Sequence, residues 1–324
     1  MDRASEKITR RSFLKTAVLG GWALTAGCAA PGVLWKRGRP AGKKLRIVFY
    51  TDVHTRTEWQ TPLALQQAAD AINARKPDLV IAGGDLITDG FQSSAAFVEP
   101  RWQAYLKMHK AINVPVQPVM GNHDLVAAIP EDGTPAADDP RRIFLETFGL
   151  KKTFRSFDKV GYHFIMLDSV TISGGKLKYR GMIPAGQMEW LKEDIAGLSE
   201  DTPVILVTHI PLLTSFYQAT RGPAAPAPEN RVIVNSREVL SLFSKRNLLL
   251  VLQGHLHIKE MIEFSGTTFI TGGAVCAMWW RGPWYGTEEG FNVITLDDNN
   301  VKWEYIDYGW QARRPMHLKR RNYK

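Results

Sequence analysis

Cysteine is almost absent from this chain: Cys28 and Cys276 are the only two in 324 residues. One bridge at most is available, so a hydrophobic core rather than crosslinks must hold the fold. Long apolar runs are missing too. The best candidate, Thr16 to Gly27, falls short of the roughly 18 residues a spanning helix needs and carries three glycines. The mature protein is therefore expected to be soluble or surface-anchored. No internal repeat is visible. Net charge is also scarce once it is located. The chain is formally +9, but five Lys/Arg lie in residues 1–27 and six more follow Gln311, and without these ends thirty basic residues face thirty acidic ones. Basicity belongs to the termini, and no specific nucleic-acid binding is expected. What remains is 44% hydrophobic and 23% charged, an ordinary globular composition with enough chain for a large core.

The N-terminus has the order of an export signal. Thr9-Arg10-Arg11-Ser12-Phe13-Leu14-Lys15 precedes the short apolar stretch, giving a charged n-region and an h-region. It resembles a twin-arginine signal, which implies a partner in the twin-arginine export machinery and export in the folded state. Leu24-Thr25-Ala26-Gly27-Cys28 resembles a bacterial lipobox, with Cys28 as the residue to be lipidated and tied to a membrane surface. Thr25 departs from its commonest form, and ordinary cleavage near Ala29 or Ala30 is the competing reading. Residues 29–44, rich in Pro, Gly, Lys and Arg, suit a flexible tether. The expected location is outside the cytoplasm, periplasmic or at the cell surface. A globular domain is expected over residues 45–310, with a basic tail over 311–324.

From Leu45 onward, short aliphatic runs stop abruptly at polar clusters. Leu45 to Tyr50 leads into Asp52 and His54, Leu79 to Ala82 into Asp85, and Val114 to Met120 into Asn122-His123-Asp124. Val204 to Val207 leads into His209, and Leu248 to Gln253 into His255 and His257. Such runs suit strands buried on both faces, and the two prolines in 114–120 suit an edge strand. Helical spacing falls between them, at 63–74, 95–111, 141–148, 187–198 and 236–245. Alternating strands and helices predict a layered α/β domain whose loops converge at the carboxyl ends of the strands. Four later segments, 260–264, 267–271, 291–296 and 301–306, predict antiparallel strands completing a second sheet. Two low-complexity loops, 127–140 and 222–230, follow polar clusters and are placed to overhang a site.

Five of the eight histidines fall at these strand ends. One such histidine would usually be a packing residue; five, with Asp52, Asp85 and Asn122, point to metal. Carboxylates and neutral imidazoles crowded into one crevice are costly without cations. With no thiolate among them, Mn, Fe, Zn, Co or Ni would fit.

The ordered blocks Asp52-x-His54, Gly84-Asp85, Gly121-Asn122-His123-Asp124, a lone His209 and Gly254-His255-x-His257 resemble the calcineurin-like metallophosphoesterases, over most of the mature chain. The likeness is greater to the bacterial cyclic-nucleotide and glycerophosphodiester phosphodiesterase branch than to the lipid A pyrophosphatase branch, which has Arg where His123 stands. The resemblance implies a four-layer α-β-β-α sandwich of two mixed sheets. It also implies two divalent metal ions. Asp52, His54, Asp85 and His257 would hold one, while Asp85 bridges to a second held by Asn122, His209 and His255. It implies further that a bridging hydroxide attacks a phosphate-ester substrate, with His123 assisting the leaving group and Asp124 orienting His123. Two ions and two carboxylates leave a positive centre suited to an anionic ester. A phosphodiesterase is the leading expectation; a phosphomonoesterase of the same fold and a non-catalytic surface-anchored binding module are the alternatives. Asp89 is expected either to accept from a ligating histidine or to cap a loop. The Trp279-Trp280-Arg281-Gly282-Pro283-Trp284-Tyr285 patch is expected to be either core or a substrate wall, with Arg281 as a phosphate or leaving-group contact. Cys276 reads as a buried small residue.

Overall fold

The computed structural model describes residues 44–314. The export signal, the lipobox and all of the tether before Lys44 lie outside the described residues, as does the tail beyond Arg314.

In chain order the elements are β1 (Leu45–Tyr50), α1 (Thr61–Ala74), β2 (Leu79–Ala82), α2 (Ala95–Ala111), β3 (Val116–Pro118) and α3 (Arg142–Phe148). Then come β4 (Arg155–Lys159), β5 (Tyr162–Met166), β6 (Val170–Ile172), β7 (Tyr179–Gly181), α4 (Ala185–Ala196) and β8 (Val204–Val207). The remainder is α5 (Phe216–Arg221), α6 (Ser236–Ser241), β9 (Leu248–Gln253), β10 (Lys259–Phe264), β11 (Thr267–Gly272), β12 (Gly290–Asp297) and β13 (Asn300–Asp307).

Two mixed sheets result, ordered β13-β12-β1-β2-β3 and β10-β11-β9-β8-β5-β4. Strands β1, β2 and β3 run parallel, as do β5, β8, β9 and β11. Alternate residues of each sheet face inward: Ile47, Phe49 and Ile81 share one apolar layer with Phe164, Ile205, Leu250 and Ile270. The opposite faces are covered by helices. Val48 and Tyr50 pack with Leu65, Ile72, Trp102 and Tyr105 of α1 and α2, and Leu206 and Val251 belong to the same cluster as Leu191 of α4 and Val239 of α6. Burial on both faces is why β1, β2, β8 and β9 are continuous aliphatic runs.

The later strands meet the expectation in part: β10 and β11 pair antiparallel and complete the second sheet, with β11 parallel to β9, whereas β12 pairs antiparallel with β1 and carries β13 in the first. Pairing partners depend on which edge is left open, and a strand's own sequence does not encode that. Strand β3 is an edge strand, as its prolines require. The buried central strand β5 had no clear signal, because Tyr162-His163-Phe164 places a polar ring inside an apolar run. His163 is satisfied there by Asp158 and Asp194, 2.7 and 2.9 Å away. Among the described residues no helix is long and apolar enough to cross a membrane.

Candidate metal centre

The residues singled out in the sequence meet at the carboxyl ends of β1, β2, β8 and β9 and in the 3₁₀ turn Asn122–Asp124 after β3. Asp52, His54, Asp85, His255 and His257 all take left-handed backbone conformations, with φ of 53°, 43°, 53°, 71° and 58°. Each costs on the order of 1–3 kcal/mol for a non-glycine residue and persists only where the surroundings impose it. Here the reversal turns each side chain back over its strand end into one crevice.

Two constellations share a carboxylate. In the first, the Nε2 atoms of His54 and His257 are 3.0 Å apart, and Asp52 Oδ1 lies 3.8 and 3.3 Å from them. Asp85 Oδ2 is 3.5 Å from His54 Nε2. In the second, the same Asp85 Oδ2 is 3.1 Å from His209 Nε2, which is 3.2 Å from His255 Nδ1. Asn122 is buried, and its Oδ1 has no hydrogen-bond partner among the described residues. Asp52 Oδ1 likewise makes no hydrogen bond among the described residues and faces His257 Nε2, while Oδ2 accepts from Thr51 Oγ1 and the His255 amide, both at 2.8 Å.

The outward ring nitrogens explain how the inward ones are presented. His209 Nδ1 donates to Gly83 O (2.9 Å), His255 Nε2 to Asn230 O (2.8 Å) and His257 Nδ1 to Ala277 O (2.6 Å). A carbonyl can only accept, so these bonds fix the tautomer and leave each inward nitrogen free to coordinate. Burial alone would lower all four imidazoles, and it does push His54 and His255 well below the usual value. The carboxylates overcome it elsewhere: Asp85 and Asp52 raise His209 to about 9, and Asp52 with Cys276 raises His257 well above the ordinary range. Despite its burial, Asp85 is held well below the carboxylate range by His209, His123 and His54. Each close N···N pair, with its neighbouring carboxylate oxygen, is the kind of donor grouping that a divalent cation would fit. The donor set, the orphaned oxygens and the fixed tautomers all fit two cations of the hard or borderline class.

Asp124 is placed differently from expectation: among the described residues its carboxylate makes no hydrogen bond to His123. Its Oδ1 accepts from the Leu86 and Ile87 amides (2.7 and 3.3 Å) and its Oδ2 from Gly121 (2.8 Å), so it clamps the Gly-Asp loop to the Gly-Asn-His-Asp turn. Burial and the nearby Asp85 push the Asp124 carboxyl up to about 7. The His123 ring is met instead by the Asp89 amide, which donates to Nδ1 at 3.3 Å and so leaves Nε2 as the N–H. Asp89 itself is pinned by Arg101 at 2.9 Å; it accepts from no ligating histidine. His54, Asp85 and His123 also offer atoms within 4.8 Å of one another, so His123 stands at the edge of the first constellation. Burial lowers His123.

The aromatic patch divides. Trp280 is core and donates Nε1–H to His54 O at 3.0 Å. Trp279 is a wall, its ring 4.0 Å from His54, 5.1 Å from His123 and 5.6 Å from His257. Cys276 is buried, and its Sγ lies 3.9 Å from the outward nitrogen of His257. Arg231 and Tyr179 carried no sequence signal, yet they reach His255: Arg231 Nη1 is 3.4 Å from Nε2, and the Tyr179 ring is 6.3 Å away. Of the two low-complexity loops, only 222–230 touches a ligand, through Asn230 O. The other packs by its backbone against Gly90–Gln92.

The motif glycines are sites of close approach. A Cβ on Gly121 would land on Asp85 Oδ1 and N, and one on Gly254 on Thr51 Oγ1 and Asp52 Oδ2. Gly121→Ala is therefore expected to displace the shared carboxylate, costing about 1–3 kcal/mol of stability from overpacking and most of the bound metal. Thermal unfolding together with elemental analysis checks this, and wild-type metal content in the variant would contradict it.

Comparisons with known proteins agree with this geometry. A family model for calcineurin-like phosphoesterases matches residues 45–259. No curated protein sequence matches. Among solved structures, the chain resembles a dimetal phosphatase from Danio rerio at 15% identity and TM-score 0.55, covering 82% of this chain and 99% of that one. It resembles the GAP50 anchor in the inner membrane complex of Plasmodium at 16% and 0.53, covering 82% and 85%. A purple acid phosphatase from yellow lupin seeds aligns at 15% and 0.54, covering 83% of this chain and 52% of that one. At these identities the structural likeness shows the fold.

Proposed function

The chain belongs to the calcineurin-like phosphoesterase family, and from that premise we propose that it is a binuclear metal-dependent phosphodiesterase acting outside the cytoplasm. Metal-dependent phosphoester hydrolysis follows from family and fold. The observation that carries the binuclear reading is the single oxygen, Asp85 Oδ2, facing both His54 Nε2 and His209 Nε2. Asp52, His54, Asp85 and His257 would hold one cation, and Asp85, Asn122, His209 and His255 the other. Two such ions supply Lewis acidity and an activated water for in-line attack at phosphorus. The protein's own groups do the rest. His123 presents Nε2–H to the departing oxygen, Asp89 and Arg101 hold that ring, and Trp279 excludes water from one side of the centre.

The preference for diesters rests on charge and room. Seven ligands bring only two formal negative charges, so the loaded centre is cationic and suits a monoanionic diester. Room beside the centre is found beyond Trp279, in the cavity that it lines with Arg56, Trp59, Met278 and Arg281. The expected result, at saturating Mn²⁺, is faster turnover of bis(p-nitrophenyl) phosphate than of p-nitrophenyl phosphate, with close to two metal ions per chain by elemental analysis. Monoester turnover well above diester turnover would overturn the diester preference. A non-catalytic role, such as an anchor like the Plasmodium protein of this fold, is disfavoured here because no ligand is missing.

Export is proposed from Arg10-Arg11 and the stretch after it. Replacing both arginines by Lys should leave precursor in the cytoplasm, and Cys28→Ala should release the protein from the membrane fraction. Unchanged export of the double variant, or a wild type already soluble with its N-terminus at Ala29 or Ala30, would contradict the respective claim.

A further inference from the structure

Beside the metal centre lies a second feature that the hydrolytic machinery does not use. Arg56, Trp59, Met278, Trp279 and Arg281 line a cavity of about 260 Å³. The Trp59 ring has three guanidinium groups within cation–π range, those of Arg56 at 5.0 Å, Arg281 at 5.7 Å and Arg314 at 5.4 Å from its centroid. None of the three forms an ion pair with a described residue, although twelve other pairs occur. The Nε of Arg56 is buried and has no hydrogen-bond partner among the described residues. The buried Arg56 Nε–H is costly unless an acceptor completes it, and the exposed Arg281 and Arg314 guanidinium groups add positive charge around the same ring.

The cavity is coupled to the site of chemistry. Trp279 lines it and also lies 4.0 Å from the His54 ring and 5.1 Å from the His123 ring. The segment carrying Trp279 and Arg281 is tied to the ligands by the His257 Nδ1–Ala277 O bond, the Trp280 Nε1–His54 O bond and the Cys276 amide donating to Asp52 O. Trp279 is therefore common to the cavity lining and to the surroundings of His54 and His123. The volume is below the roughly 300 Å³ at which pockets for whole drug-sized ligands begin, so it suits one group rather than a complete ligand.

We infer that this cavity is a subsite for an anionic group, phosphoryl or carboxylate, carried on one arm of the phosphodiester, and that Arg56 and Arg281 set that preference. The inference rests on the phosphodiesterase reading and narrows it to diesters with a second negative charge.

The test uses the Mn²⁺-loaded chain and methyl phosphodiesters that differ only in the other arm: propyl, 2-carboxyethyl, 2-(phosphonooxy)ethyl and 2-(trimethylammonio)ethyl, followed by phosphorus NMR. Wild type is expected to favour the anionic arms over propyl by at least about tenfold in kcat/KM and to disfavour the cationic arm. In Arg56→Ala and Arg281→Ala that ratio should fall towards one with metal content kept. A larger loss for phosphonooxyethyl than for carboxyethyl identifies phosphoryl as the natural group, and the reverse identifies carboxylate. Calorimetric titration with propane-1,3-diol bisphosphate and with propyl phosphate reads the subsite without turnover: wild type should bind the bisphosphate at least about tenfold more tightly, and the variants should not. Diester turnover with no arm preference and equal binding of the two phosphates would overturn the subsite and spare the phosphodiesterase reading. Tighter binding of the bisphosphate with no diester turnover would do the opposite.

Discussion

Asp85→Asn is expected to empty both metal positions at once and to lower kcat/KM by about 10³-fold or more. The substitution nearly preserves shape, so the effect is chemical. In the native chain Oδ1 accepts from the His123 amide at 2.7 Å, and Oδ2 faces His54 Nε2 and His209 Nε2 at 3.5 and 3.1 Å. An asparagine keeping the first bond turns its NH₂ towards both imidazoles and removes the one charge the two positions share. Losing the Lewis acid forfeits several kcal/mol of transition-state stabilisation, and each 1.36 kcal/mol is tenfold in rate. Asn122→Ala gives the contrast, because Asn122 belongs to the second constellation alone; it should leave about one ion per chain. Elemental analysis of the two folded variants decides between shared and separate sites. Equal losses in both, or near-full metal in Asp85→Asn, would sink the bridging role.

His123→Ala should do the reverse, keeping the metal while lowering kcat by about 10²–10⁴-fold, the range for a lost general acid. The Asp89 amide occupies Nδ1, so the proton sits on Nε2, the atom free to donate to a leaving oxygen. Because p-nitrophenolate departs with little protonation, the deficit should shrink for p-nitrophenyl esters and grow for alkyl or ribose leaving groups. His54, Asp85 and His123 can also be grouped as three donors, so metal content is the discriminating readout. A variant that loses an ion would make His123 a ligand, and an equal deficit across leaving groups would remove its proton-donor role. Asp124→Asn should affect stability more than leaving-group dependence, since Asp124 accepts three backbone amides and does not touch His123.

Much of the fold and of the candidate site was legible in the amino-acid order. Leu45–Tyr50, Leu79–Ala82, Val204–Val207 and Leu248–Gln253 are strands at the expected boundaries, because burial on both faces leaves them apolar but for Arg46 and Gln253. The convergence of the Asp, Asn and His residues was legible because a parallel α/β layer puts successive strand ends side by side. The chain by itself therefore determined the strand–helix alternation, the convergence and the chemical class of the donors.

Tertiary structure decided the rest. Which sheet receives β11 and β12 depends on open edges, and which nitrogen each histidine turns inward depends on the carbonyls of Gly83, Asn230 and Ala277, each well separated in sequence from the ring it fixes. The replacement of Asp124 by Asp89 as the partner of His123 arose the same way: the family resemblance implied Asp124, but that carboxylate accepts from the Leu86, Ile87 and Gly121 amides. Arg56 and Arg281 lie 225 positions apart and meet only because the segment after β11 folds back over His54. Contacts of that kind are settled by the geometry of close packing between distant segments, and no local pattern of residues records them.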